Sequence, residues 1–138
     1  MQNAEPFPPA DFDAMAATPP VAEARFTCAR HGTEAGAVRL HGSETTGWMV
    51  VIDSSVGVQR ERIHTPAAEA LRDALARADV RWIHLLDPEW APFFCTRCDR
   101  VYCGACWRTF PVFDPEWNDW LEEMRGVCPE GHERMLSD

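Results

Sequence analysis

Six cysteines and two of the five histidines form four short pairs with two or three residues between the paired side chains. The pairs are Cys28 with His31, Cys95 with Cys98, Cys103 with Cys106, and Cys128 with His132. A loop of this length brings two side chains to one metal ion, at about 2.3 Å for sulfur and about 2.0 Å for nitrogen, and two such loops complete a tetrahedron. No cysteine is left over. The spacing therefore predicts eight ligands for two zinc ions.

Four protein ligands on each ion leave no coordination position for water, so we expect two structural zinc ions and no catalytic one. A disulfide framework would use the cysteines but would not explain the two histidines at ligand spacing. Metal binding should be coupled to folding and contribute on the order of 10 kcal/mol per site. Every thiol is then committed to metal, which leaves no free thiolate for nucleophilic catalysis.

Spacing alone leaves open which loops share an ion. In a cross-brace, the first loop joins the third and the second joins the fourth, whereas in a sequential arrangement consecutive loops pair. In a third arrangement, the four central cysteines hold one ion, and Cys28, His31, Cys128 and His132 hold the other. Only four residues separate Cys98 from Cys103. Because this connection is short, we favour arrangements in which these two neighbouring loops bind different ions.

The composition predicts one acidic domain. The chain has 138 residues, of which 46% are hydrophobic, and a formal net charge of −9. A chain of this length holds one modest core, which bound metal would supplement. An acidic surface disfavours contact with phosphate backbones, so we expect protein partners and not nucleic acid. The alternative is a nucleic-acid-associated zinc protein that uses a basic patch at Arg97, Arg100 and Arg108.

No segment has the pattern of a signal peptide or a membrane span. Residues 1–23 lack a basic start followed by an apolar stretch, and nowhere do about 18 apolar residues run together. We therefore expect a cytoplasmic protein that does not contact membranes, and a reducing compartment also suits metal-bound thiolates.

The predicted organisation is a flexible Pro/Ala-rich tail over residues 1–24 and a single zinc-stabilised domain over 25–138. Within the domain, residues 36–86 predict an inserted α/β unit and residues 92–136 the main zinc-binding part. The fold class is α+β, with a ββ(β)αβ unit inserted in a two-zinc module. Its elements are strands at 37–40, 48–52 and 56–63, a helix at 67–78 capped by Thr65, and a strand at 80–86.

A second helix is predicted after Asp114, ending at Gly126. Trp117, Trp120, Leu121 and Met124 would lie on one face of it. Exposed tryptophans are frequent hot spots of protein interfaces, so Trp117 and Trp120 are our candidates for partner binding.

The central stretch Cys95-x2-Cys98-x4-Cys103-x2-Cys106, with Tyr102 and Trp107 beside its ligands, resembles cross-brace and treble-clef zinc modules such as RING, in-between-RING, B-box and ZZ fingers. The resemblance covers residues 92–136 together with Cys28 and His31. Cys128-Pro129 resembles the Cys-Pro that opens the last RING loop. Arg134 stands where RING-type ubiquitin ligases keep a basic residue that touches ubiquitin, so the resemblance implies a partner-binding role for it.

We therefore expect a zinc-binding protein-interaction module that serves as an adaptor or ligase-like component of a ubiquitin-like conjugation or degradation system. All thirteen basic residues are arginine, and a protein without lysine escapes lysine-modifying machinery, although a GC-rich coding sequence also explains this bias. A non-enzymatic role is favoured. The enzymatic alternative would place a pocket in the inserted unit, where His41, His64 or His84 would meet Glu44, Asp53 or Asp87.

Overall fold

The computed structural model describes residues 12–116 and 121–138. Its helices are α1 (Phe12–Ala17), α2 (Thr65–Ala76) and α3 (Val80–Leu86), followed by a 3₁₀ turn (Pro88–Trp90). Its strands are β1 (Ala22–Thr27), β2 (Glu34–Ser43), β3 (Gly47–Ser54), β4 (Gly57–Ile63), β5 (Phe94–Cys95), β6 (Arg100–Val101), β7 (Arg108–Phe113), β8 (Leu121–Val127) and β9 (Glu133–Ser137). They form antiparallel sheets in the orders β1-β2-β3-β4, β5-β6 and β7-β8-β9. The predicted α+β class is confirmed.

The four-stranded sheet buries one face against α2. Alternate residues of neighbouring strands are in register, as in the row Ala24, Val38 and Ile52, and all three are buried. The same core contains Leu71 and Leu75 from the buried side of α2. The predicted strands and helix of this region are present. His64 precedes the helix in place of the expected cap Thr65, whose hydroxyl instead accepts a hydrogen bond from Trp48 Nε1 at 3.1 Å.

The predicted strand at residues 80–86 is wrong, because Val80–Leu86 forms α3. The Asp79 side chain caps this helix by accepting a hydrogen bond from the backbone N–H of Trp82 at 3.1 Å. Ile83 is fully buried between α3 and the core. A short apolar run fits a buried strand and a buried helix equally well, and here the capping aspartate decides between them.

The predicted helix after Asp114 is also wrong where the chain is described. Leu121 and Met124 lie on β8, which pairs with β7 on one side and β9 on the other. Pairing with two strands overrides the helical spacing of the apolar residues. Asp114 was expected to precede a helix, but it stabilises a turn instead, since its Oδ1 accepts a hydrogen bond from the backbone N–H of Glu116 at 2.7 Å. Trp117 and Trp120 lie outside the described residues.

Regular structure begins earlier than Arg25, where we expected it. Helix α1 and the first residues of β1 fall within the stretch interpreted as a tail. None of the described helices combines the length and apolarity needed to cross a bilayer.

The first and third cysteine-containing loops share a core with the four-stranded sheet. The ring of Phe93, just before the second loop, stacks on Phe26 of β1 with 5.4 Å between centroids. Cys28 and Cys103 belong to the same buried cluster as the sheet residues. A smaller second core contains Tyr102, Trp107 and Leu136 with Cys95 and Cys128.

Candidate metal centres

The first cluster consists of Cys28, His31, Cys103 and Cys106, whose donor atoms all lie within 4.8 Å of one another. The Sγ atoms of Cys28 and Cys106 are 3.7 Å apart, and those of Cys103 and Cys106 are 3.9 Å apart. His31 presents Nδ1, at 3.1 Å from the sulfur of Cys103 and 3.5 Å from that of Cys106. The first loop therefore shares a site with the third.

The second cluster consists of Cys95, Cys98, Cys128 and His132, again with all donors within 4.8 Å. The sulfurs of Cys98 and Cys128 are 3.7 Å apart. The Nδ1 atom of His132 lies 3.5 Å from the sulfur of Cys95, 3.3 Å from that of Cys98 and 3.5 Å from that of Cys128. The second loop shares a site with the fourth, so the eight donors have the cross-brace arrangement.

These spacings are the edges of tetrahedral metal sites. An ion about 2.3 Å from each sulfur and about 2.0 Å from a nitrogen places sulfurs about 3.8 Å apart and sulfur about 3.5 Å from nitrogen. A disulfide would require about 2.05 Å between sulfurs, and all six cysteines are free thiols. Each cluster can therefore bind one metal ion through three sulfurs and one nitrogen.

The outer loops are tight backbone turns that aim their donors inward. In the fourth loop, the N–H of Gly131 donates to the carbonyl of Cys128 at 2.9 Å, and the N–H of Cys128 donates to the carbonyl of His132 at 2.9 Å. Gly131 has a φ of 89°, a conformation that glycine adopts without steric cost. In the first loop, Gly32 has a φ of 70° and donates to the carbonyl of Cys28 at 3.0 Å.

Backbone N–H groups prepare some of the thiols for ionisation. Burial acts to raise the pKa of Cys128, but hydrogen bonds from the backbone of His132 and Glu130 outweigh it and leave the pKa below its ordinary value. The two N–H groups lie 3.4 Å and 3.3 Å from the sulfur. Burial also acts to raise the pKa of Cys28, but hydrogen bonds leave it below its ordinary value. The Cys28 sulfur accepts hydrogen bonds from the backbone N–H groups of Arg30 and His31, each at 3.4 Å.

One thiol in each cluster is shifted in the opposite direction. Burial raises the pKa of Cys95 in the second cluster and of Cys106 in the first to about 11. A divalent cation supplies the positive charge that lets clustered thiolates coexist, and it displaces the remaining protons when it binds.

Tyr102 links the second cluster to the smaller core. Interaction of the Tyr102 hydroxyl with Cys98, followed by burial, raises the pKa of Tyr102 to about 12. Its carbonyl accepts a hydrogen bond from Trp107 Nε1 at 3.1 Å, and the two rings meet edge to face. The sequence placed both aromatic residues beside ligands but did not reveal these contacts.

A backbone hydrogen bond connects the two halves of the cross-brace. The N–H of Ala29, inside the first loop, donates to the carbonyl of Val101 at 2.8 Å. Val101 lies on β6, between the second and third loops. This bond holds the first loop against the segment that joins the second and third loops.

Arg134 is largely engaged within the protein. Its guanidinium donates hydrogen bonds to the carbonyls of Pro88 at 2.9 Å, Ala91 at 2.9 Å and Phe94 at 2.7 Å. Burial lowers the pKa of this guanidinium to about 10. Arg134 thus ties β9 to the segment that enters the second metal loop.

The three arginines of the expected basic patch, Arg97, Arg100 and Arg108, are exposed. Two histidines of the expected catalytic pocket are packed against the protein. His41 is buried, and its Nδ1 has no hydrogen-bond partner among the described residues. The ring of His84 packs edge-on against Phe94 with 5.7 Å between centroids.

Comparison with curated proteins finds no match to this chain, and comparison with solved structures finds none either. A protein family whose description is "Domain of unknown function (DUF8328)" matches residues 18–138, which include both clusters and all three sheets. The match covers most of the sequence, and the chain belongs to this family.

Proposed function

We propose that the protein is a protein-interaction module whose fold depends on two structural zinc ions. The observation that carries the zinc assignment is the arrangement of eight donors in two complete sets, each with three sulfurs and one nitrogen at tetrahedral spacing. Thiolate and imidazole donors in a tetrahedral set suit zinc. Four protein ligands per ion leave no position for a reacting water, which supports a structural role. A reducing compartment suits such sites and supports a cytoplasmic location.

The proposed interaction surface is the end of the β7-β8 hairpin. Phe113 and Leu121 face each other across the two strands, and they are 47% and 51% exposed. Between them the chain carries Trp117 and Trp120, our candidates from the sequence. Large apolar side chains at an exposed hairpin end are suited to anchoring a protein partner.

The chemistry of the surrounding sequence restricts this partner. From residue 113 to residue 123 the chain contains five acidic side chains and no basic one. These are Asp114, Glu116, Asp119, Glu122 and Glu123. We propose a partner that offers an apolar pocket with a lysine or arginine rim.

Elemental analysis of the purified protein tests the metal assignment. We expect two zinc ions per chain, and we expect a strong chelator to remove them together with the circular dichroism signal of the folded protein. Fewer than one zinc ion per chain, or a spectrum that the chelator leaves unchanged, would contradict the assignment.

A capture experiment from a lysate of the source cells tests the interaction surface. We expect Leu121→Asp and Trp117→Ala each to lose partners that the unaltered chain retains. Trp82→Ala is the matched control, because Trp82 is 46% exposed on α3 in another part of the molecule. Equal capture by all four proteins would exclude the hairpin end as the interaction surface.

The sharper form of the proposal is a ligase-like role in a ubiquitin-like system. It is supported by the cross-brace pairing, which RING modules also have, and by the absence of lysine. Because the chain contains no lysine, ligase activity cannot be measured as modification of the chain's own lysines. Faster discharge of a conjugating-enzyme thioester onto free lysine would support this role, and an unchanged discharge rate with the source organism's own conjugating enzymes would contradict it.

A further inference from the structure

The face of the β1-β4 sheet opposite α2 has a buried apolar centre. Residues alternate between the two faces of a strand, so Ala37, Met49 and Val51 point away from the core that contains Val38 and Val50. Met49 is 0% exposed and Val51 is 3% exposed.

Arginines surround this centre. The register places four of the thirteen arginines of the chain on the same face, accompanied by three acidic residues. They are Arg25, Arg39, Arg60 and Arg62, with Glu23, Glu34 and Asp53. Arg25 lies 3.0 Å from Glu34, and Arg39 lies 3.7 Å from Glu23 and 3.9 Å from Asp53. These arginines outnumber the carboxylates of the face by one, on a protein of net charge −9.

Helix α1 lies over this face. At its start, Asp13 pairs with Arg60 of β4 at 2.8 Å. The helix also contacts β2, the strand that carries His41. Since β3 lies between β2 and β4, the helix crosses the strand that carries Met49 and Val51.

The helix is weakly held. It has six residues, none of which is buried, whereas helices shorter than about 12 residues are marginal without support. The Asp13 side chain in its ion pair is 93% exposed, so solvent screens the attraction. Pro19 and Pro20 separate α1 from β1 and supply no backbone donors. The family match begins at residue 18, so it includes the sheet and leaves out α1.

Helix α1 itself indicates what the face accepts. Phe12, Met15 and Ala16 are half-buried at helical spacing, and Asp13 meets the arginine rim beside them. We propose that this sheet face is a second protein-docking surface, that α1 is a removable cover, and that the partner replaces α1 with an acidic amphipathic helix. This proposal deepens the protein-interaction function and rests on it, since it names the chemistry of one partner.

A labelled peptide that copies residues 8–20 is the probe, and fluorescence anisotropy with the full chain measures its binding. We expect Met15→Asp to bind the peptide about fivefold or more tightly than the unaltered chain, because the internal helix no longer competes for the face. Ala14→Asp is the matched control. It adds the same charge at an exposed position of the same helix and should bind as the unaltered chain does. Asp13→Arg in the full chain removes the ion pair with Arg60 and should also release α1 from the sheet, so this variant should likewise bind the peptide more tightly than the unaltered chain does.

Charge exchange tests the orientation of the peptide. A peptide with Asp13→Arg should bind the Met15→Asp protein at least threefold more weakly, and Arg60→Asp in that protein should restore its binding. Equal affinity of all the protein variants for the native peptide, or no binding to any of them, would overturn the proposal. Zinc content and hairpin capture do not depend on α1, so these outcomes leave the tests of the proposed function separate.

Discussion

The hydroxyl of Tyr102 interacts with Cys98, and Tyr102 is buried in the smaller core with Cys95 and Cys128, so its side chain joins the second metal cluster to that core. A buried hydroxyl beside a metal-bound sulfur stabilises the thiolate and fixes the orientation of the ligand.

Tyr102→Phe should weaken metal binding at the second cluster about tenfold, because it removes the hydroxyl and keeps the ring. Release of zinc to a chromogenic chelator would then show one faster phase. The first cluster of the same molecule is the control, and its phase should keep its rate. Two unchanged phases would mean that the hydroxyl does not support the ligand.

Paired cysteine substitutions test the cross-brace. Cys28→Ser/Cys103→Ser alters two ligands of one cluster, so this protein should retain one zinc ion per chain. Cys28→Ser/Cys95→Ser damages both clusters and should lower the zinc content further and destabilise the fold. Sequential pairing would reverse the two results, whereas a site made of the four central cysteines would make both proteins lose both sites.

Arg134→Lys should destabilise the zinc-loaded protein by roughly 2–4 kcal/mol, because a single ammonium cannot reach all four carbonyls that the guanidinium fork serves, those of Pro88, Ala91, Phe94 and Met135. Urea unfolding measures the change, and Arg97→Lys at an exposed position is the control. Unchanged stability together with lost partner capture would instead favour the partner-binding role that the RING resemblance implies for Arg134.

Zinc affinity should fall by at least tenfold for each unit of pH between about 8.5 and 6.5. Each cluster contains one thiol, Cys95 or Cys106, whose pKa burial raises to about 11. This thiol is protonated in the metal-free site throughout that range and must release its proton when zinc binds. The sign follows: binding, and the stability that depends on it, increases with pH. Chelator competition at several pH values measures the slope, and a flat profile would contradict the expectation.

The sequence was sufficient to single out the eight donors that the structure brings into two clusters, because each pair is separated by a few residues and a tight loop fixes its own geometry. It could not decide the pairing of loops, since the distance between Cys28 and Cys103 depends on how the whole intervening sheet folds. The hydrogen bond from Ala29 to Val101 likewise joins parts of the chain that no local pattern relates.

The two wrong secondary-structure predictions also arise because the structure depends on contacts between distant parts of the chain. Leu121 and Met124 have helical spacing, but β7 and β9 supply strand partners on both sides of their segment. Val80–Leu86 is too short for periodicity to distinguish a helix from a strand, and Ile83 could be buried in either structure. The hydrogen bonds of Arg134 to the carbonyls of Pro88, Ala91 and Phe94 were not predictable, because those carbonyls become neighbours only after the 3₁₀ turn and β5 have packed.

The pairing of the first loop with the third has a consequence for biosynthesis. His31 and Cys103 are 72 positions apart, and strands β2, β3 and β4 and helix α2 lie between them. While the ribosome makes the protein, Cys28 and His31 emerge long before the residues that complete their site. During that interval the nascent chain carries only two of the four donors of the first cluster, and that cluster can hold a metal ion through four ligands only after residue 106 has left the exit tunnel.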